Sequence, residues 1–341
     1  MSATIKDIAR ECGVGVSTVS RAINNHPDIN QDTKKLVLDT VKKYNYVPNN
    51  SARNLKRIAS KTIAILVKGI SNPLFFSMVE MMEKEIKNNK YNYFLQHVDD
   101  RQDEVDIAIS LIKEKRLSGI VFLGGLYDRS EEKLSKITVP FVLSTIGMMD
   151  ANIKATCSSF SLDDKLEGYK IVDYLIKKGH KKIAFLGASA DDESVGKLRL
   201  EGYKKAHKEN NISFDEDLIR CMDETLPSYS MKNGYKVMKD LLANKKQFTA
   251  VFAISDMQAI GASKAIFEAG LKIPEDISMV GFDGLDNGLF YNPSITTLAQ
   301  PIEEISTESI SALFKMIKSK KSVKGKVFPG TLIERESTRA I

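Results

Sequence analysis

Three side chains near the amino terminus have the chemistry to read a base edge: the guanidinium of Arg21 and the hydroxyls of Ser17 and Thr18. A planar guanidinium offers paired donors to guanine N7 and O6, and short hydroxyls suit base edges or phosphate oxygens. If residues 16–23 form a helix, these three share one face and Val19 and Ile23 share the other. A second helix is expected just ahead. Thr4-Ile5-Lys6-Asp7 has the form of a capping box, and Ile5, Ile8, Ala9 and Cys12 make one apolar stripe. Gly13 then supplies the positive φ of a sharp turn. Two short helices around a tight turn make a helix-turn-helix, whose second helix enters a DNA groove.

A second set of chemically capable residues follows candidate strands: Asn72, Phe75 and Phe76, then Arg199, then Ser255 with Asp256, and Asp283. Ligands of open α/β sheets bind beyond the carboxyl ends of strands, where these residues fall.

The elements that position both sets follow from pattern. Gln31 begins a third helix with Leu36, Val37, Val41 and Tyr44 on its apolar face, and Pro48 ends regular structure. From residue 62 strands and helices alternate. Residues 62–67 and 119–123 are continuous apolar runs typical of buried parallel strands, and 75–88 and 104–116 are helical. A similar series spans 164–282, with helices at 164–178, 196–210, 229–243 and 256–269. Repeated βα units imply parallel sheets covered on both faces, and two series imply two lobes with a cleft between them.

Charge separates the parts. The chain has 50 Lys+Arg against 44 Asp+Glu, a net +6 over 341 residues. Residues 1–61 hold eleven of those cations and five acids, so the whole excess lies there, as phosphate contact requires. No apolar run is long enough to span a membrane, and no signal-peptide core is present. The three Cys and four His are scattered, which points to reduced thiols, a cytoplasmic chain and no metal centre. Gly124-Gly125 and Gly187-Ala188-Ser189 follow strands but do not extend into a phosphate-loop motif, and no triad or zinc signature appears. Catalysis and a cofactor are therefore not expected.

With these residues in view, the chain resembles the lactose-repressor family of bacterial transcription regulators. The amino-terminal likeness rests on 4–9, on Ser17-Thr18-Val19-Ser20-Arg21 with Asn24, on Tyr46-Val47-Pro48-Asn49, and on Ala52-Arg53-Asn54-Leu55. Further on it rests on 71–76, 179–187, 199–203, 273–278, Val280-Gly281-Phe282-Asp283 and Gln300-Pro301. The resemblance implies an all-α headpiece (1–47), a hinge (48–60) and a periplasmic-binding-protein-like core of two parallel-sheet lobes. The lobes would comprise 61–161 plus 290–323 and 162–289 plus 324–341. It places Thr4, Val16, Ser17, Thr18, Arg21, Asn24, Asn49, Ala52, Arg53, Leu55 and Lys56 at DNA, with Leu55 as an apolar wedge in the minor groove. It places Asn72, Phe75, Phe76, Thr145, Arg199, Tyr229, Ser255, Asp256, Asp283 and Gln300 around an effector. Arg199 and Asp283 would bind hydroxyls, and Phe75 or Tyr229 would stack on them.

The implied partners are a pseudo-palindromic operator duplex, a small sugar-like effector and a second copy of the chain. The alternative that the resemblance admits is control by a phosphorylated carrier protein or a purine corepressor. A two-fold operator requires two headpieces, and no Leu-rich heptad follows the last strand, so helices 72–87 and 255–269 are expected to join a dimer. Several positions depart from the family pattern. Gly15 stands where Ser is common, and Lys68, Thr145 and Ser255 fall in the expected pocket. Lys68 beside Arg199 raises the option of an anionic effector.

Overall fold

The computed structural model describes residues 4–23, 25–26, 28–44, 46, 61–99, 102–126, 131–147, 155–187 and 194–341. The chain divides into two units, Met1–Ala59 and Ser60–Ile341.

In the first unit α1 (Ile5–Glu11), α2 (Val16–Ile23) and α3 (Gln31–Lys43) enclose a small core of Ile8, Ala9, Cys12, Val19, Ala22 and Val37. The Asp7 carboxylate accepts from the Thr4 N–H at 2.9 Å and from its hydroxyl at 2.7 Å, fixing the start of α1. Gly13 has φ +62° and a clear surround, so it is needed for conformation and not for space. Asn30 caps α3 by accepting from the Asp32 N–H at 2.8 Å. Three expected core positions differ. Ala22 is buried where Ile23 was expected, with Ile23 packed at the margin, and Leu36 and Tyr44 are exposed. A three-helix core this small has room for only one buried row per helix.

The second unit holds two six-stranded sheets. The first has the order β11-β5-β4-β3-β1-β2, formed by β1 (Thr62–Lys68), β2 (Asn92–Val98), β3 (Gly119–Leu123), β4 (Phe141–Ser144), β5 (Cys157–Leu162) and β11 (Lys326–Phe328). The second has the order β12-β10-β9-β8-β6-β7, formed by β6 (Ile183–Gly187), β7 (Ile219–Cys221), β8 (Ala250–Ala253), β9 (Ser278–Asp283), β10 (Thr296–Ala299) and β12 (Thr331–Ile333). Every pairing is parallel except β12 on β10. Central strands such as β3 and β6 are buried along their full length, as parallel strands covered by helices must be. Each fully buried Ile or Leu in them contributes about 1.5–3 kcal/mol.

The helices are α4 (Pro73–Asn88), α5 (Glu104–Lys115), α6 (Glu131–Leu134), α7 (Asp164–Lys177), α8 (Val195–Glu209), α9 (Met231–Ala243), α10 (Asp256–Glu268), α11 (Asp286–Leu289) and α12 (Ile302–Ser319). Pattern reading anticipated neither β5, β7 and β10 nor α12. The lobe boundaries also fall elsewhere than expected. Thr297 pairs with Gly281, so β10 belongs to the second sheet, while Val327 pairs with Ser161, so β11 belongs to the first. Of residues 290–323, α12 and Ser322 just after it meet the first sheet, the Ser322 hydroxyl accepting from the Cys157 N–H at 3.2 Å. The chain therefore crosses between lobes near 163, near 300 and near 329.

Candidate nucleic-acid interface and effector cleft

On α2, Val16, Ser17 and Arg21 are exposed and Thr18 is half-buried, opposite buried Val19 and Ala22. This is the division expected of a reading helix. A Cβ on Gly15 would meet nothing closer than the Ser17 hydroxyl at 3.5 Å, so the usual Ser would fit there and only its cap is forgone. Thr4 is exposed and engaged with Asp7. The remaining DNA expectations, Asn24, Asn49, Ala52, Arg53, Leu55 and Lys56, lie outside the described residues.

In the core, the carboxyl ends of the strands meet around a cavity of about 160 Å³. Asn72, Phe75, Thr145, Arg199, Tyr229, Asp283 and Gln300 all line it, together with Lys68, Gly124, Ser194 and Met222. Three expected residues do not. Phe76 is 75% exposed, because one step along α4 turns a side chain by about 100° away from Phe75. Ser255 caps α10, its hydroxyl accepting from the Gln258 N–H at 3.2 Å. Asp256 turns under β9, where its carboxyl accepts from the Leu285 N–H at 2.6 Å. Neither lines the cavity, although the Ser255 hydroxyl also lies 3.4 Å from the carbonyl of Tyr229, which does.

Arg199 sits at the centre, 4% exposed. Its Nε and Nη2 both lie against Asp164 Oδ1, at 2.9 and 2.8 Å, and its Nη1 donates to the Ile254 carbonyl at 2.6 Å. Its guanidinium carbon lies 3.5 Å from the centre of the Phe282 ring. Three of five N–H donors are thus engaged, leaving two for a ligand. Asp283 is equally buried. One oxygen accepts from Asn72 Nδ2 and the other from Gln300 Nε2, each at 2.8 Å. A carboxylate oxygen takes two donors, so both keep capacity for ligand hydroxyls. Burial pushes the Asp283 carboxyl up to about 6 against the pull of Arg199 and the two amides. Burial likewise raises Asp164, opposed by Arg199.

The Asn72–Asp283 bond joins the lobes. So do the Ser71 hydroxyl, which donates to the Ser228 carbonyl at 3.0 Å, and a bridge between Leu126 and Ser194. Lys68 has a partner of its own: it donates to the Gln102 carbonyl at 2.7 Å and meets Glu104 at 3.3 Å, both side chains nearly buried. The other Glu104 oxygen accepts from the Leu126 N–H at 3.2 Å. Thr145, Tyr229 and Asp283 have φ of +71°, +58° and +117°. Non-glycine residues held there cost about 1–3 kcal/mol each and concentrate where function requires them. All three line this cavity.

Asp256 gives a pH prediction. Burial, then the charge of Asp283, pushes its carboxyl from 3.8 up to about 8. The folded state holds the proton more tightly than the unfolded one. Its stabilisation is therefore complete below about pH 4 and is lost as pH rises through about 8. Asp256→Asn keeps the acceptor for Leu285 and has nothing to ionise. Urea titrations from pH 5 to 8.5 should show a shallower fall in stability for the variant, and parallel curves would refute the assignment.

A basic helical headpiece whose α2 exposes a polar face, followed in the chain by a two-lobed core with a polar cleft, defines a ligand-responsive DNA-binding regulator. Residues 4–49 match the bacterial regulatory proteins of the lacI family, and residues 172–338 match the periplasmic binding protein-like domain. The chain is 43% identical over 335 residues to the HTH-type transcriptional regulator MalR of Clostridium butyricum, covering 98% of each. Its fold matches the transcriptional regulator CelR in complex with cellobiose, with TM-score 0.70, 25% identity and 98% and 99% of the two chains covered. It also matches a LacI family regulator from Enterococcus faecium with bound ribose, with TM-score 0.70, 26% identity and 82% and 99% covered. The chain belongs to the LacI family of bacterial transcriptional regulators. No described helix is long and apolar enough to cross a membrane.

Proposed function

We propose that this regulator is a cytoplasmic, non-catalytic repressor of carbohydrate-utilisation genes, released from or held on its operator by a neutral sugar in the cleft. The observation that supports a neutral ligand is charge pairing. Lys68 faces Glu104, and Arg199 faces Asp164 and Asp283, so neither cation offers an anion an unbalanced charge. The anionic effector raised by Lys68 from sequence is disfavoured for this reason. What remains is a carboxylate, spare guanidinium N–H groups and the faces of Phe75 and Tyr229. This set suits a sugar ring, with hydroxyls at the edge and C–H groups on the face. The cellobiose and ribose carried by the two structural relatives agree with that chemistry.

The test is operator binding in the presence of neutral mono- and disaccharides, a sugar phosphate and a purine. A neutral saccharide should change operator affinity by about 5–150-fold, a coupling of about 1–3 kcal/mol. A response to the phosphate or the purine alone would overturn the proposal. In the headpiece, Arg21→Ala should cost about 1–3 kcal/mol and relax base preference at one position per half-site. A loss equal for all sequences would make Arg21 a phosphate contact.

The working unit is a homodimer. Of the two helices expected to form it, α4 leaves Phe76 exposed, whereas α10 buries most of its residues within its own lobe and leaves Phe267. Phe290, after α11, is 84% exposed. Exposed Phe side chains of this kind anchor interfaces. Sedimentation should show a dimer at micromolar concentration, and a monomer that still binds operator tightly would refute it.

A further inference from the structure

The second lobe carries another recess at the far end of its sheet from the cleft. It lies at the amino ends of β6, β7 and β8, has a volume of about 370 Å³, and is lined by Lys181, Lys182, Tyr203, His207, Phe214 and Lys246 among others. Neither operator binding nor the cleft gives it a role.

Its inner wall holds His207, which is fully buried. The His207 Nδ1 lies 3.0 Å from the Tyr203 carbonyl. A carbonyl only accepts, so Nδ1 carries the proton. Burial lowers the pKa of the ring and keeps it neutral at physiological pH. Nε2 is then a bare lone pair that can only accept. It is buried and has no hydrogen-bond partner among the described residues. The ring packs tilted against Tyr203, at 4.3 Å, and edge-on to Phe214, at 5.8 Å, and these two rings also meet each other at 6.0 Å, which holds it in place. The Tyr203 hydroxyl is already committed to the Ile183 carbonyl at 2.8 Å. His180, which directly precedes Lys181, shows the contrast: its two nitrogens meet the Thr249 hydroxyl and the Arg339 carbonyl, at 2.9 and 3.1 Å.

The rim has the opposite character. Lys246 is shared by two carboxylates, Asp215 at 3.3 Å and Asp217 at 2.6 Å, and Glu216, whose charge also reaches Tyr203, meets Lys204 at 3.6 Å. Lys181 and Lys182 are exposed and make no ion pair among the described residues. A buried acceptor selects a hydroxyl donor, aromatic walls pack its carbon frame, and a two-lysine rim selects negative charge.

We propose that this recess is a second binding site, for a small hydroxylated anion of the phosphate-ester or hydroxy-carboxylate type, with its hydroxyl on His207 Nε2 and its charge at Lys181 and Lys182. The test uses glycerol 3-phosphate with its two halves, glycerol and methyl phosphate, added to the full-length protein. With four histidines in the chain, long-range proton–nitrogen NMR resolves each imidazole, and His180 serves as an internal reference. Glycerol 3-phosphate should shift the His207 Nε2 resonance saturably, leave His180 in place, and bind at least tenfold more tightly than either half. The double variant Lys181→Gln/Lys182→Gln, altered only at exposed positions, should weaken that binding at least tenfold. An unmoved His207 would mean that water alone satisfies Nε2, and would overturn the proposal. Equal binding of glycerol, or unchanged affinity in the double variant, would overturn the anionic assignment.

Discussion

Replacing Arg199 with alanine should destabilise the core by about 3–5 kcal/mol and abolish the effector response. The first effect follows from what is left behind. Asp164 is 4% exposed and its charge is met by Arg199 alone among the bonds described above. Removing one partner of a buried pair leaves an uncompensated charge, and that costs more than the pair itself contributes. The Ile254 carbonyl also loses its donor, and Phe282 loses the guanidinium stacked on it. The loss should be smaller in acid. With its counter-charge gone, Asp164 is pushed further up by burial, so protonation relieves the defect. The stability of the variant is then retained at low pH and falls as pH rises through the raised folded pKa.

A double variant separates structure from recognition. Asp164→Leu with Arg199→Met fills the same space without charge, and such replacements are commonly neutral or stabilising. It should recover most of the stability and none of the effector response. Urea denaturation and effector-dependent operator binding, measured on the same samples, read the two quantities. A double variant that still answers effector would show that Arg199 only holds the fold. A single variant of unchanged stability would show that the Asp164 charge is compensated elsewhere.

The parts that local pattern revealed are those whose physics is local. The buried run Ile63–Val67 reads as a covered parallel strand because every residue in it is apolar. Thr4 and Asp7 announce a helix start because the bonds that close it span three residues. β5 escaped notice because Ser158 and Ser161 are buried in it, and a polar residue in a strand normally marks its solvent face. The exchange of β10 and β11 between lobes depends on pairings such as Val327 with Ser161, which no window of sequence contains. The cleft divides in the same way. Arg199 and Asp283 were legible from where they follow strands. The engagement of Lys68 by Glu104 depends on α5 packing beside β1, and it changes the chemistry expected of the ligand. Phe75 and Phe76 were indistinguishable until the start of α4 fixed which of them turns inward.

Glycine 202 provides the second large effect, because it sets how closely the helix bearing Arg199 approaches the helix bearing Asp164. A Cβ on Gly202 would lie 2.2 Å from the Lys165 carbonyl oxygen and 2.6 Å from the Tyr169 nitrogen, both backbone atoms of α7. Across the same crossing, a Cβ on Gly168 would lie 2.7 Å from the Arg199 carbonyl oxygen. Backbone cannot give way as a side-chain tip does, so Gly202→Ala must part α7 from α8. In an unobstructed helix the same change is favourable by about 1 kcal/mol through propensity, so the sign of the effect identifies its cause. Overpacking should outweigh that gain and leave a net loss of about 1–3 kcal/mol. The separation also draws Arg199 away from Asp164, whose contacts of 2.8 and 2.9 Å have no slack. Effector affinity should therefore fall at least tenfold, while operator binding without effector is retained. A Gly202→Ala protein more stable than its parent, with effector affinity intact, would show that the two helices have room to part, and that Arg199 is positioned by its own bonds rather than by the helix crossing.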